Sequence, residues 1–270
     1  MTAKPARVLI IAGSDSGGGA GIQADIKTVT ALGAYAMTAI TAVTVQDTTG
    51  VHGVHAVPVN IVRDQIVRVM DDIGADAIKT GMLLSAEVVD MVADVLRAHA
   101  KGIPIIVDPV MIAKGGAKLL DDNAVAVLKK KLLPLATVVT PNAPEAAALT
   151  GKKIETVDDL VAAGKALLAL GAKSALVKGG HLKGDTITDV LVAKDGVQLY
   201  RSARIAGTST HGTGCTLASA LATGLAQGFT LEDSVARARA FVQEAIRTAP
   251  GLGHGTGPLN HLHGIPPYKE

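Results

Sequence analysis

AIKTGMLLSAEVVDMVADVLRAHAKGIPIIV, residues Ala77–Val107, holds the unit from which the fold can be read. It opens on a short apolar run, Ala77–Thr80, and closes on another, Ile103–Val107. Between them, Ala86–Ala100 repeats apolar residues at the three-to-four spacing of a helix with one buried face. Short runs that are apolar at consecutive positions suit strands covered on both faces, as in a parallel sheet. Parallel neighbours need a crossover, usually a right-handed helical one.

The same alternation extends in both directions. Val8–Ala12, Thr137–Thr140 and Ala175–Lys178 read as further strands. Ala20–Leu32, Ile61–Ile73, Asn123–Leu133 and Val157–Leu170 read as helices. The pattern predicts a three-layer α/β/α fold with a mostly parallel central sheet. One stretch breaks the rhythm: Asp189–Ala193 and Val197–Arg204 flank Lys194-Asp195-Gly196. Asp-Gly supplies the positive φ angles of a tight turn, so this is a β-hairpin adding an antiparallel strand near the sheet edge. Two helices, Thr213–Ala226 and Leu231–Thr248, close the unit. No linker, repeat or low-complexity stretch interrupts the series, which predicts one domain over residues 1–270.

Composition narrows the function classes. The chain is 48% hydrophobic, mostly Ala, Val, Leu and Ile, with two Phe, three Tyr and no Trp. A single-strand nucleic-acid platform needs exposed rings for stacking, and these are too few. The net charge is +2, and the one short basic run, Lys129-Lys130-Lys131, reads as a solvated helix end. We therefore expect neither a nucleic-acid partner nor, without an apolar run of spanning length, a membrane one. One cysteine forbids an intrachain disulfide, and the N-terminus has no signal-peptide core, so a cytoplasmic location is expected.

Common catalytic signatures are missing. There is no Gly-x-x-x-x-Gly-Lys-Ser/Thr, no Gly-x-Gly-x-x-Gly after a strand, no Gly-x-Ser-x-Gly, no His-Glu-x-x-His and no Cys-x-x-Cys. What remains is polar residues at strand ends, where open α/β sheets bind ligands. His211-Gly-Thr-Gly-Cys-Thr216 precedes a helix of small residues. Gly212, Thr213 and Gly214 there leave backbone N–H groups free at a helix N-terminus, forming an anion hole suited to a transferring phosphoryl group. Cys215 lies in the first turn, where a lowered thiol pKa is expected, and could serve as base for an alcohol. By position alone it reads equally as a small buried thiol closing a Gly-rich turn. In Thr140-Pro-Asn-Ala-Pro-Glu145, Asn142 and Glu145 read as a capping box, or as groups near a metal and phosphates. The run Ala12–Gly21 is a Gly-rich loop after the first strand, and Lys178-Gly-Gly-His181 puts a lysine at a strand end.

Taken in order, these motifs resemble the hydroxymethylpyrimidine/phosphomethylpyrimidine kinases of thiamin biosynthesis, a ribokinase-like family. The resemblance runs from Ile11-Ala-Gly-Ser-Asp15 to His254-Gly-Thr-Gly-Pro258. It rests on Gly19-Ala-Gly-Ile-Gln-Ala-Asp25, Leu32-Gly-Ala-Tyr35, Thr41–Gln46, Lys79-Thr-Gly-Met82, Thr140-Pro-Asn-x-x-Glu145, Lys178-Gly-Gly-His181 and His211-Gly-Thr-Gly-Cys215. It implies transfer of phosphoryl groups from ATP with Mg²⁺, and a homodimer. It places Cys215 where most ribokinase-like enzymes carry an Asp base, with Gly212, Thr213 and Gly214 as the anion hole. It assigns Asn142, Lys178 and Gly212 to the nucleotide, Glu145 and Asp108 to the metal, and Gln46, Met82, Gly13, Asp25 and Val110 to the pyrimidine. A carboxamide complements the amino group and ring nitrogen of a 4-aminopyrimidine edge, which suits Gln46. One departure is Ser16, where the family pattern leads us to expect a proline. Competing expectations are a pyridoxal kinase-like enzyme of the same fold and a non-catalytic ligand-binding relative; a sugar kinase is disfavoured by Cys in place of Asp.

Overall fold

The computed structural model describes residues 4–112, 119–207 and 209–266. The chain begins with β1 (Arg7–Ala12), α1 (Gly21–Ala31) and β2 (Tyr35–Ile40). A hairpin follows, β3 (Ala42–Gln46) and β4 (Val51–Ala56), then α2 (Val59–Asp72), β5 (Ala77–Thr80), α3 (Ala86–His99) and β6 (Ile105–Val107). Next come α4 (Asp122–Val127), β7 (Val138–Val139), α5 (Ala143–Thr150), α6 (Val157–Ala169) and β8 (Ser174–Val177). β9 (Thr186–Ala193), β10 (Gly196–Ala203), α7 (Thr213–Ala226) and α8 (Leu231–Arg247) complete the order.

Eight strands form one sheet in the order β10-β9-β8-β7-β6-β5-β1-β2. β2, β1, β5, β6, β7 and β8 are parallel, and β9 runs against both its neighbours. The expected antiparallel hairpin is therefore at the sheet edge. Strand periodicity splits the core in two: Leu9 and Ile11 face one layer, Val8, Ile10 and Ala12 the other. The first layer receives apolar residues of α2, α3, α5 and α6, and the second those of α1, α7 and α8. The order reverses between β1 and β5, the switch point beyond which open sheets bind ligands.

Three elements differ from the sequence reading. β2 was not expected; its edge position leaves Tyr35 exposed and its pattern mixed. β3 and β4 pair only with each other, as a two-stranded flap outside the main sheet. The helix expected over Asn123–Leu133 divides: α4 passes into a wide π turn, Leu128–Leu132, and a tight 3-10 turn, Leu133–Leu135. Pro134 has no N–H to donate and its ring crowds the preceding turn, so a regular helix cannot continue through it.

Candidate active site

Five loops at the carboxyl ends of β1, β5, β6, β7 and β8 meet the N-terminus of α7. That helix is buried along Thr216–Gly224 because it is built from small and aliphatic residues. Its N-cap is Gly212, with φ of 80°, and a Cβ there would collide with the carbonyl of Gly19. Glycine is thus required both for the turn and for the close approach of the Gly-rich loop. No side chain caps α7; the Thr213 N–H makes a long contact of 3.4 Å to the Thr210 carbonyl, and the first-turn amides point to where an anion can sit. The C-terminal segment holds this end in place: His211 N–H donates to the Gly257 carbonyl at 3.1 Å, and Thr216 Oγ1 bonds His261 Nε2 at 2.9 Å.

Charges alternate around that helix end. Asp108, 2% exposed past β6, accepts from Thr140 Oγ1 at 2.9 Å and pairs with Lys178 Nζ at 3.0 Å. The lysine terminates β8 and reaches the backbone of Gly214, where an added Cβ would stand 3.1 Å from Nζ. Burial works against its charge, but Asp108 and Glu145 outweigh it and raise its pKa. The capping box is formed in full: Glu145 N–H donates to Asn142 Oδ1 at 2.9 Å, and Asn142 N–H to Glu145 Oε2 at 2.8 Å. Cap and candidate metal site therefore coincide in one carboxylate. Burial, and secondarily Asp108, pushes the Glu145 carboxyl up to about 7 against the pull of Lys178.

A second ionic layer lies beneath. Lys79 and Asp25 are both fully buried and joined at 2.8 Å, and Asp25 also accepts from Ser219 Oγ at 2.7 Å. Burial disfavours the ammonium, yet Asp25, Cys215 and Asp108 together raise its pKa. Ser219 is one turn after Cys215 on α7, so the pair sits under the thiol's helix face. Asp25, expected at the pyrimidine, is thus engaged through both oxygens with protein groups.

Cys215 overturns one expectation. Its thiol is not lowered: burial pushes it up to about 11, with Asp25 and Asp108 adding to the rise. Lys79 and the backbone of Gly21 pull the other way without compensating. The helix terminus alone suggested acidification; the two carboxylates come from α1 and from the end of β6, far off in sequence.

Gly13, Met82 and Gln46 gather on the flap side, where Thr41 Oγ1, just before β3, donates to the Met82 carbonyl at 2.7 Å. Met82 packs its methyl group against Gly13, so that a side chain at position 13 would have to push the methyl aside. Val110, half-buried, follows Asp108 and donates its N–H to the Asp108 carbonyl at 2.9 Å. Gln46 ends β3 where the register shifts: Val45 faces Gly53 and Gln46 faces Val51, so His52 is the extra residue of a bulge. The Ser16 hydroxyl donates to the Gln46 carbonyl at 2.7 Å and accepts its N–H at 2.8 Å. Where a proline was expected, this hydroxyl ties the Gly-rich loop to the flap. Gln46 opens on a cavity of about 350 Å³ shared with Thr48, Val51, His211, His254 and Thr256. Ser219 had no place in the sequence reading; Asp15 and Lys79 counted there among the polar residues at strand ends, and with His211 they stood inside quoted motifs, but none was given a specific role.

Oxygen-rich donors suit a hard cation. Among the described residues no three carboxylates, imidazoles or thiols cluster into a closed metal cage. Two carboxylates, Asp108 and Glu145, do converge, and a cation beside them would offset the burial that raises the Glu145 pKa. That fits Mg²⁺, which takes one or two carboxylates and completes its shell with phosphate and water.

A family model described as phosphomethylpyrimidine kinase matches residues 15–260. The hydroxymethylpyrimidine/phosphomethylpyrimidine kinase of Streptomyces coelicolor is 49% identical over 257 residues, covering 95% of this chain and 94% of that protein. The thiamine biosynthesis bifunctional protein of Geobacter sulfurreducens is 52% identical over 257 residues, 94% of this chain. The chain spans about half of that longer protein, 52% of its length. Among solved structures, pyridoxal kinase from Staphylococcus aureus, in complex with AMP-PCP and pyridoxal, superposes with a TM-score of 0.88. It is 35% identical, with 95% of this chain and 93% of that one covered.

Proposed function

The chain belongs to the phosphomethylpyrimidine kinase family, and from that premise we propose that it makes the pyrimidine pyrophosphate for thiamin. In this reading it transfers the γ-phosphoryl group of ATP first to 4-amino-5-hydroxymethyl-2-methylpyrimidine and then to the resulting monophosphate. The observation that carries it is the convergence of the uncapped α7 N-terminus, Lys178, Asp108 and Glu145 beside Cys215. The N–H groups of Thr213, Gly214 and Cys215 bind the oxygens of the transferring group, where negative charge accumulates. Lys178 and Asn142 hold the nucleotide phosphates, Lys178 exchanging its partner Asp108 for phosphate oxygens. Asp108 and Glu145 would hold Mg²⁺, which neutralises phosphate charge when bound. Cys215 takes the proton of the attacking hydroxyl. Gln46, Met82, Gly13 and Val110 enclose the ring, while Asp25 acts from beneath by keeping Lys79 charged.

A second reading, pyridoxal phosphorylation, is favoured by the likeness to the Staphylococcus aureus pyridoxal kinase. Measurement of ADP release with each alcohol, with and without Mg²⁺, separates the two. We expect turnover with the pyrimidine and its monophosphate, and none without the cation. Turnover with pyridoxal alone would overturn the first reading.

We take the whole chain as one catalytic unit that pairs into a homodimer in the cytoplasm. The flap offers exposed Val43 and Val45 on one face, and sedimentation equilibrium reads the assembly mass. Among the described residues, no helix is long and apolar enough to cross a membrane.

A further inference from the structure

Gln46, His211 and Asp15 form a chain of contacts that the phosphoryl chemistry does not use. Asp15 is 1% exposed and accepts four hydrogen bonds. Oδ1 takes the N–H of Gly17 at 2.9 Å; Oδ2 takes Gly19 N–H at 3.1 Å, Ala20 N–H at 2.7 Å and His211 Nε2 at 2.8 Å. Burial opposes its charge, but His211 and the backbone donors outweigh it and lower its pKa. An ionised Asp15 has no proton to give, so the proton between it and His211 belongs to the imidazole. Nε2 is then N–H whether the ring is neutral or cationic, and it has no acceptor capacity left.

The Gln46 carboxamide touches that same atom, with Gln46 Nε2 and His211 Nε2 3.3 Å apart. Two N–H donors facing each other repel. Turning the carboxamide over is isosteric and places Oε1 against the imidazole N–H instead. The backbone of Gln46 cannot adjust, because Ser16 Oγ holds both its N–H and its carbonyl. Gln46 and His211 both line the same 350 Å³ cavity.

We propose that His211, held by Asp15, is a specificity-determining positioning residue: it fixes the Gln46 carboxamide with Oε1 on the imidazole and its NH₂ group towards the cavity. A free carboxamide accepts either hydrogen-bonding pattern by turning over. A fixed one does not. It selects a heteroaromatic ring whose unprotonated nitrogen lies beside an exocyclic amino group. It rejects the oxo analogue, whose ring N–H would meet the amide N–H. This rests on the reading that Gln46 meets the pyrimidine ring.

The test compares kcat/KM for 4-amino-5-hydroxymethyl-2-methylpyrimidine with that for its 4-oxo analogue. The unaltered protein should prefer the amino compound about 10- to 100-fold, the range expected for one unpaired buried donor. His211→Asn should reduce the preference to a few-fold, mainly through KM, with ATP affinity unchanged by calorimetry. Gln46→Ala should abolish the preference, and adding His211→Asn to it should change nothing further. An equal loss on both compounds in His211→Asn, with the ratio intact, would overturn the positioning role. Unchanged affinity and preference in Gln46→Ala would instead remove the pocket reading, and this proposal with it. Nitrogen NMR of the unaltered protein needs no variant to fold. A protonated His211 Nε2 supports the arrangement, and an unprotonated one overturns it.

Discussion

The two halves of the site are built differently. The proposed phosphoryl side, formed by Asp108, Glu145, Lys178 and the Lys79–Asp25 pair around α7, is a buried network of ion pairs. The proposed ring side, formed by the flap and the Gly-rich loop, rests on the buried Asp15–His211 pair but meets the flap through the hydroxyl hydrogen bonds of Ser14 and Ser16; Val43 and Val45 on the flap are 50% and 64% exposed. Charges in a low-dielectric interior interact strongly and are costly to unpair. Neutral hydrogen bonds at a surface contribute about 1 kcal/mol each. Chemistry and selectivity are thereby separable, and substitutions should sort by side.

The largest effect is expected at Cys215. Cys215→Ala should slow phosphorylation of the alcohol by about 10²–10⁴-fold, the usual contribution of a positioned base. Formation of the pyrophosphate should suffer far less, because a phosphate monoester with a second pKa of about 6 attacks already ionised. Single-turnover rates with each substrate check this, and equal losses would mean that Cys215 only shapes the anion hole. The raised thiol adds a pH signature. With a pKa of about 11, the thiolate is scarce at neutral pH and grows about tenfold per pH unit. Alcohol phosphorylation should climb between pH 7 and 9 in the parent and not in the Ala variant, while pyrophosphate formation stays flat.

Next in size is the hidden pair. Lys79→Met leaves Asp25 buried without its cation and should lower unfolding stability by about 3–5 kcal/mol in urea titrations. Adding Asp25→Asn should restore part of the loss. If Lys79→Met were harmless, the two sides would not differ in kind.

Smaller effects belong to the flap. Gln46→Ala should weaken pyrimidine binding by about 1–3 kcal/mol and leave ATP binding intact, both read by calorimetry. Val45→Lys, on the flap face offered to a second copy, should weaken the homodimer in sedimentation equilibrium and leave the unfolding stability of the dilute, dissociated protein within about 0.5 kcal/mol. An unchanged assembly mass would show that this face does not carry the dimer.

The sequence was legible where local pattern and burial agreed. α7 runs over Thr213–Ala226 as expected, because Gly212 opens it and its interior is small and apolar throughout. β5, Ala77–Thr80, is likewise as read, since every residue in it is buried. The flap was less legible: Val51-His-Gly-Val-His-Ala56 faces solvent over much of its length and lacks an apolar signature. β7 has two residues, too few for any periodicity, yet their consecutive apolar character places it inside the expected strand Thr137–Thr140.

By itself the sequence determined the alternating strands and helices, the glycine-opened turn before α7, and the motifs whose residues the structure gathers around that turn. Those features depend on neighbours in the chain: apolar spacing, glycine at a helix start, a cap and its partner three residues on. Only the tertiary structure decided which of those groups pair. Lys79 meets Asp25 across 54 positions, Lys178 meets Asp108 across 70, and His211 meets Asp15 across 196. Electrostatic energy follows distance through space and local burial, and neither is written in sequence separation. The same Cys215 at a helix N-terminus is acidic beside cations alone and basic once two carboxylates and a packed interior surround it.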